Sequence, residues 1–131
     1  MLERKPQKLV APLVTGLALL MASVVGGSAP AQVQSGGKGL FERRCGGCHS
    51  LDRDKEGPRL RDVFGRTAGS VESFQYSGAL RKSGIQWTED TLDQWLTDTE
   101  KLVPGSDMAF RVVSADERTE IIAYLKRNSR K

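Results

Sequence analysis

The chain has 131 residues, of which 38% are apolar and 27% charged, and its formal net charge is +4. This length suits one modest domain, and the apolar share favours a globular chain over a disordered one. No basic run is interleaved with aromatic residues, so the charge gives little support to nucleic-acid binding, which relies on neutralising phosphates.

The N-terminal segment has the pattern of a secretory signal. Arg4, Lys5 and Lys8 form a basic region, residues 10–25 form an apolar run, and residues 29–31 read Ala-Pro-Ala, a small-residue cleavage pattern. The run is shorter than the roughly 20 apolar residues that span a bilayer, which disfavours the alternative of an uncleaved membrane anchor. We predict a signal peptide over residues 1–31 and an exported domain over residues 32–131.

The first predicted element of the exported domain is a helix over about residues 36–46. Leu40 and Phe41 would lie on its apolar side, and Ser35 is a suitable N-cap because its hydroxyl can accept a backbone hydrogen bond. This helix leads directly into the stretch RCGGCHS at residues 44–50, which holds both cysteines and the only histidine of the chain.

Once a structural disulfide is set aside, three kinds of chemistry could use Cys45, Cys48 and His49 at this spacing. A disulfide across CGGC would close a very small loop and constrain little of the unfolded chain. A redox dithiol is expected to open a helix within a βαβ pattern, and no alternating strand segments surround the motif. A structural zinc site needs four ligands, so carboxylates would have to complete it.

The third possibility is the CxxCH pattern of c-type haem attachment. In that pattern two thiols add to the haem vinyl groups, and the adjacent histidine ligates the iron. The pattern uses all three side chains, and Gly46 and Gly47 keep the backbone lean between them. Only three positions of the motif are fixed and chance matches occur, so the rest of the chain has to support this interpretation.

The remaining predicted elements are helical. A short helix is expected near residues 77–82, and a longer one runs from the N-cap Thr88 to about Thr97. A terminal helix follows Ser114, which forms a capping box with Glu117. The sequence therefore predicts an all-α domain without strands or internal repeats.

Two long loops connect these helices, over residues 50–75 and 98–113. Such loops are uncommon in a compact domain unless they wrap a bound group, and haem would be that group. The second loop contains Met108, the only methionine outside the predicted signal. Met108 could simply fill a gap in the core. Its setting in a loop punctuated by proline and glycine favours a specific destination, and a His/Met ligand pair suits electron transfer.

Taken together, residues 37–128 resemble the class I cytochromes c, particularly the mitochondrial and small soluble bacterial members. CGGCH resembles their attachment motif, and GPRLRDVFGRTAG at residues 57–69 resembles their Gly-Pro loop. FQYSGAL, GIQWTEDTLDQWL, VPGSDMAF and IIAYL follow in the family's order. The resemblance implies a fold whose first and last helices cross, with Gly37 and Phe41 meeting Ile121 and Tyr124.

The resemblance also implies the cofactor, one covalent haem c, and the roles of five residues toward it. Cys45 and Cys48 would be the thioether anchors, His49 the proximal ligand and Met108 the distal ligand. The carbonyl of Pro58 would accept the other ring N–H of the histidine, a contact that fixes the orientation of a ligand imidazole.

Three further residues, Arg66, Tyr76 and Trp87, match positions that approach the haem propionates. Donors and a cation there would offset carboxylates in a poorly hydrated pocket. Without the resemblance, they would be interpreted as a surface charge, a loop tyrosine and a core aromatic.

Four positions depart from the mitochondrial pattern. Trp95 stands where a tyrosine usually donates a hydrogen bond to the ligand methionine, and Leu80 replaces an asparagine of a polar network. Glu100 and Asp107 occupy positions where lysines usually ring the haem edge. We therefore expect a less basic docking face, although the positive sign is kept at Lys38, Arg44 and Lys101.

The function implied is that of a soluble electron carrier rather than an enzyme, with the haem cycling between Fe(II) and Fe(III) by outer-sphere electron transfer. A haem enzyme or gas sensor would instead need an open sixth position, and the sequence offers no distal histidine. The expected partners are redox proteins of the periplasm: a dehydrogenase, a cytochrome bc1-type complex or a terminal oxidase. The chain is expected to be a periplasmic monomer, or membrane-anchored if the signal is not cleaved.

Overall fold

The computed structural model describes residues 36–130. The predicted signal peptide and the predicted N-cap Ser35 lie outside the described residues. The helices of the described part are α1 (Gly37–Arg44), α2 (Gly78–Lys82), α3 (Glu89–Thr97), α4 (Thr99–Leu102) and α5 (Ala115–Arg127). Within that part no strand forms, apart from one isolated bridge between Thr67 and Gln86, so the all-α prediction is confirmed. No helix between residues 36 and 130 has the length and apolar character needed to cross a membrane.

The contact between α1 and α5 is closely packed. A Cβ added at Gly37 would lie 2.9 Å from the Cβ of Tyr124 and even closer to the backbone oxygen of Glu120, so only glycine fits at this position. The rings of Phe41 and Tyr124 pack with their centroids 5.3 Å apart, and Ile121 is fully buried. The predicted meeting of Gly37 and Phe41 with the last helix is confirmed.

The start and end of α1 differ from the prediction. Its N-cap is Gly36, which has no side chain to accept a hydrogen bond. The helix ends at Arg44 rather than near Gly46, because the chain turns at Cys45. The carbonyl of Cys45 then accepts from the N–H groups of Cys48 and His49, at 3.1 and 2.8 Å, so the attachment motif continues as turns.

The caps of the later helices explain where they begin. Thr88 and Thr91 form a reciprocal capping box at the start of α3, as each side chain accepts from the other residue's backbone N–H. At α5, the Ser114 hydroxyl accepts from the Glu117 N–H, but the Glu117 carboxylate accepts from Arg44 of α1. The predicted capping box is therefore only half correct, because a cation competes for the carboxylate.

One helix was missed within the predicted loop 98–113. The side chain of Asp98 caps α4 by accepting from the N–H of Lys101 at 3.1 Å. Four residues are too few to show a helical period, so Asp98 is the only sequence feature that indicates this turn.

The core lies between α1, α3 and α5 and includes two tryptophans. Trp87 and Trp95 are buried with ring centroids 5.5 Å apart. The C-terminal end of the described chain is joined to the first loop, because Phe64 N–H donates to the Ser129 hydroxyl and Arg130 N–H donates to the Asp62 carboxylate at 2.6 Å. These contacts anchor the middle of the first long loop to the end of α5.

Candidate haem-attachment site

The attachment turn places its two cysteines in different surroundings. Cys45 is buried in the core, whereas Cys48 is exposed, and both are free thiols. A Cβ at Gly46 would lie 2.5 Å from the backbone oxygen of Glu42, but a Cβ at Gly47 would meet nothing within 4 Å. Of the two glycines expected to be needed between the cysteines, only Gly46 is required on steric grounds.

The protonation of Cys45 weighs against a redox dithiol. Burial raises the pKa of the Cys45 thiol to about 11, although the nearby charge of Arg44 opposes this effect. A reactive dithiol depends on a thiolate with a lowered pKa. Cys45 is instead a neutral thiol at physiological pH.

His49 is held in one tautomer and orientation. Its Nδ1 lies 2.8 Å from the carbonyl oxygen of Pro58, and its side chain is almost completely enclosed, with 9% of the residue exposed. A carbonyl can only accept, so Nδ1 carries the proton and Nε2 of the neutral ring keeps its lone pair. Burial lowers the pKa of His49, with the Pro58 hydrogen bond acting in the opposite direction and Lys55 adding to the effect of burial. A neutral imidazole with one nitrogen fixed by a carbonyl is the form in which histidine binds metals.

The imidazole lies against Gly57, a residue that the sequence analysis did not single out. A Cβ at Gly57 would lie 2.7 Å from Nδ1 and 2.8 Å from Nε2 of His49. The N–H of Gly57 also donates to the carbonyl of Cys48 at 2.8 Å, which ties this loop to the attachment turn. Gly57 and Pro58 thus form a cradle, and its only sequence indication is the Gly-Pro dipeptide.

Arg66, Tyr76 and Trp87 form a second group. The guanidinium of Arg66 donates to the carbonyls of Arg59 and Arg61, at 3.1 and 3.2 Å. Its backbone carbonyl accepts from the N–H of Trp87 at 2.9 Å. Burial lowers the pKa of Arg66 and raises that of Tyr76, and each of these two groups opposes the other's shift electrostatically. The structure therefore brings together the three residues expected to approach the propionates.

Met108 lies on another part of the chain, at the rim of the core, and is partly buried. The loop before it turns at Gly105, which has a φ of +79° and donates its N–H to the Glu100 carboxylate at 3.1 Å. Past Met108, the N–H of Phe110 donates to the hydroxyl of Thr99 at 3.0 Å. These contacts fix the loop on both sides of Met108, but they do not join Met108 to His49.

Two residues expected near the docking face are engaged within the protein. The Glu100 carboxylate holds the Gly105 turn, and Arg44 forms a two-pronged ion pair with Glu117, with a shortest N–O distance of 2.8 Å. Of the other departures, Trp95 packs on Trp87 and Leu80 lies partly buried against the core.

The chemistry of these donors fits haem c. Two thiols follow the end of α1, one imidazole nitrogen keeps its lone pair, and a thioether lies on the core rim. Across residues 36–130, no three side chains of His, Cys, Asp or Glu converge in a way that could hold a metal ion.

Comparison with known proteins identifies the family. The Cytochrome c family model matches residues 35–129. Cytochrome c of Gibberella zeae is 43% identical over 94 residues, covering 69% of this chain and 89% of its own. Cytochrome c2 of Blastochloris viridis is 39% identical over 118 residues, covering 87% and 91%. The solved structure of cytochrome cH from Methylobacterium extorquens matches with a TM-score of 0.67 and 37% identity, covering 72% of this chain and 97% of that one. The chain therefore belongs to the cytochrome c family, as a class I c-type cytochrome that carries electrons between redox partners and binds haem c covalently through Cys45 and Cys48.

Proposed function

We propose that this protein is a soluble one-electron carrier whose single haem is ligated by His49 and Met108. Bound haem supplies the Fe(II)/Fe(III) couple, and the protein supplies burial, ligands and a docking surface. The observation that carries the proposal is the 2.8 Å hydrogen bond between His49 and Pro58, which leaves Nε2 as a neutral donor. Met108 is the only methionine in residues 36–130, and the contacts on both sides hold its loop in place.

Arg66, Tyr76 and Trp87 are proposed to bind the haem propionates. Their grouping supports this role, because a half-buried guanidinium and a phenol with a raised pKa offer donors where carboxylates would be poorly hydrated. Arg66→Lys would keep the charge but lose the fork that donates to two carbonyls, so we expect the haem-bound fold to unfold more easily in acid or denaturant while the haem stays covalently attached. Arg53→Lys at a position outside this group is the matched control.

The ligand pair also argues against an enzyme. A peroxidase or gas sensor needs an open sixth position, which a bound Met108 would fill. In Met108→Ala we expect covalent haem to remain while low-spin character is lost and external ligands or peroxide gain access. Leu80→Ala, another partly buried residue of the core rim, is the control and should keep the low-spin spectrum. An unchanged spectrum in Met108→Ala would show that this methionine only packs.

The proximal assignment is tested separately. We expect His49→Ala to prevent maturation when the protein is exported together with an active haem-attachment pathway. Lys55→Ala, which removes a nearby cation and its bond to the Gly46 carbonyl, should still mature. Normal holoprotein from His49→Ala would remove His49 from the ligand set.

We further propose that residues 1–31 are a cleaved signal peptide and that the mature domain is a periplasmic monomer. The basic region, the apolar run and the Ala-Pro-Ala pattern support cleavage. Amino-terminal sequencing of the exported haem protein should begin at Gln32. Recovery of the intact N terminus in the membrane fraction would favour the anchored form instead.

The proposed partners are a periplasmic dehydrogenase, a bc1-type complex or a terminal oxidase. Glu100 and Asp107 would weaken steering toward an acidic partner, because acidic groups partly cancel neighbouring cations. We expect a shallow ionic-strength dependence of electron-transfer rate with an acidic oxidase, and a steeper one in the Glu100→Lys, Asp107→Lys double variant. Glu89→Lys, placed on α3, is the control, and equal slopes in both variants would place the two acids outside the docking face.

A further inference from the structure

The peptide group between Pro58 and Arg59 is hydrogen-bonded at both ends. Its carbonyl accepts from Nδ1 of His49, and its N–H donates to the Asp54 carboxylate, both at 2.8 Å. The bond is trans, so the carbonyl and the N–H point in opposite directions. One peptide group therefore links the imidazole on one side to a carboxylate on the other.

Asp54 is held in place and charged. Its second oxygen accepts from the Ser73 hydroxyl at 2.5 Å, and that hydroxyl accepts from the Arg59 guanidinium at 2.7 Å. Only 22% of the Asp54 side chain is exposed. The Ser73 hydroxyl and, next, the Arg59 N–H keep the pKa of Asp54 below its usual range, so the carboxylate is ionised at neutral pH.

We propose that Asp54 is a positioning residue that strengthens the His49–Pro58 hydrogen bond by polarising the peptide between them. Hydrogen bonds in a chain polarise one another, and a stronger acceptor on a ligand histidine raises its basicity. Asp54 would in this way make His49 a better electron donor and favour Fe(III). This inference rests on the proposed ligation by His49.

The negative charge of Asp54 also acts on the iron through space, and this direct effect favours Fe(III), as does the effect transmitted through the peptide. The positive charges of Arg59 and Arg66 lie close to Asp54 and partly cancel the direct effect. Asp52 separates the two effects, because it lies two residues away, carries the same charge and pairs with Arg61, without bonding to the Pro58–Arg59 peptide. Asp52→Asn therefore removes an equal charge and leaves the linked peptide intact.

The test uses the holoprotein and two measurements. In the reduced state, NMR follows the His49 Nδ1 proton, and spectroelectrochemistry gives the potential. Asp54→Asn keeps an acceptor oxygen for the Arg59 N–H but removes the charge, so we expect the proton to move upfield. We expect the one-electron equilibrium to shift about two- to fourfold toward Fe(II), or about 20 to 35 mV at roughly 59 mV per tenfold change. Asp52→Asn should leave the proton in place.

A second variant gives the opposite sign without any change in charge. Ser73→Ala removes a donor that competes for the carboxylate, so Asp54 should polarise the peptide more and move the His49 proton downfield. An effect acting purely through space predicts no movement of the proton in Ser73→Ala. The proposal is overturned if Asp54→Asn and Asp52→Asn move the proton equally, or if Ser73→Ala leaves it unmoved. Failure of the underlying ligation is recognised separately, because His49 resonances of the oxidised wild type would then lack the large shifts of an iron ligand.

Discussion

Two glycines have no room for a Cβ: Gly37, in the contact between α1 and α5, and Gly57, in the cradle of His49. The groups that a Cβ would overlap differ between the two positions. At Gly37 the obstruction is the backbone of α5 and the first side-chain atom of Tyr124, which cannot move without moving the helix. At Gly57 it is an imidazole, which could rotate away by giving up its bond to Pro58. The contact at Gly37 involves only protein groups and contributes to the stability of the fold. The contact at Gly57 orients the imidazole of His49, the proposed ligand of the haem iron.

The largest effect is expected from Gly37→Ala. The new methyl would overlap rigid backbone, so the two helices must separate, at a cost of about 3 kcal/mol or more. Denaturant unfolding of the holoprotein measures this loss. Gly36→Ala is the matched control, because a Cβ there meets nothing within 4 Å, and it should cost less than about 1 kcal/mol. Equal losses in the two variants would mean that α1 and α5 are not in close contact.

Gly57→Ala should cost less stability but change the haem spectrum. Its methyl pushes the imidazole away from Pro58, with an expected loss of about 1 to 3 kcal/mol and altered ligand-field bands. Gly47→Ala introduces the same methyl at an open position of the attachment turn and serves as the control. A destabilised Gly57→Ala protein with a normal spectrum would break the distinction between the two glycines.

A smaller, pH-dependent effect is expected at Asp54, which joins two parts of the loop region. Because its folded pKa lies below the ordinary value of 3.8, its contribution to stability is present above that pH and is lost as the pH falls below it. Asp54→Asn should therefore cost under about 1 kcal/mol at neutral pH and nothing in strong acid. Unfolding curves of both proteins over this range measure the difference. A difference that stays constant with pH would indicate a packing effect instead.

The smallest effect is expected from the ion pair that joins α1 to α5. The side chains of Arg44 and Glu117 are 51% and 29% exposed, so their coupling should be about 0.5 kcal/mol and should fall in salt. A double-mutant cycle with alanine at both positions measures this coupling. The more exposed pair of Lys38 and Glu42, 3.8 Å apart, is the control and should couple still more weakly.

The fold was largely predictable from the sequence because the residues that cap its main helices are adjacent to those helices in the chain. Thr88 and the acidic residues after it mark the start of α3, and Ser114 marks the start of α5. The helix α4 was missed because four residues show no period, and the half-formed capping box of α5 reflects competition from Arg44, which is 73 residues away in the chain.

The candidate site also contains some residues that were predictable from local sequence and others that were not. Cys45, Cys48 and His49 are adjacent in the sequence, so their spacing alone indicates their chemistry. The importance of Gly57 and Asp54 depends on how the loop folds back on the imidazole, and no sequence period records that path. Met108 was predicted from the proline and glycine residues of its loop and from the resemblance to class I cytochromes c. Within residues 36–130, no contact with another side chain marks its role, because the proposed role is to bind the cofactor.

The central claim is that His49 and Met108 ligate one haem from two separate parts of the chain. Proton–carbon NMR of the reduced holoprotein with labelled methionine methyl groups tests this directly, because a methyl group bound over the haem face lies within its ring current. We predict one methionine methyl far upfield of all ordinary methyl resonances, and we predict that it disappears in Met108→Leu. A Met108 methyl at an ordinary position in the wild-type protein would contradict the account.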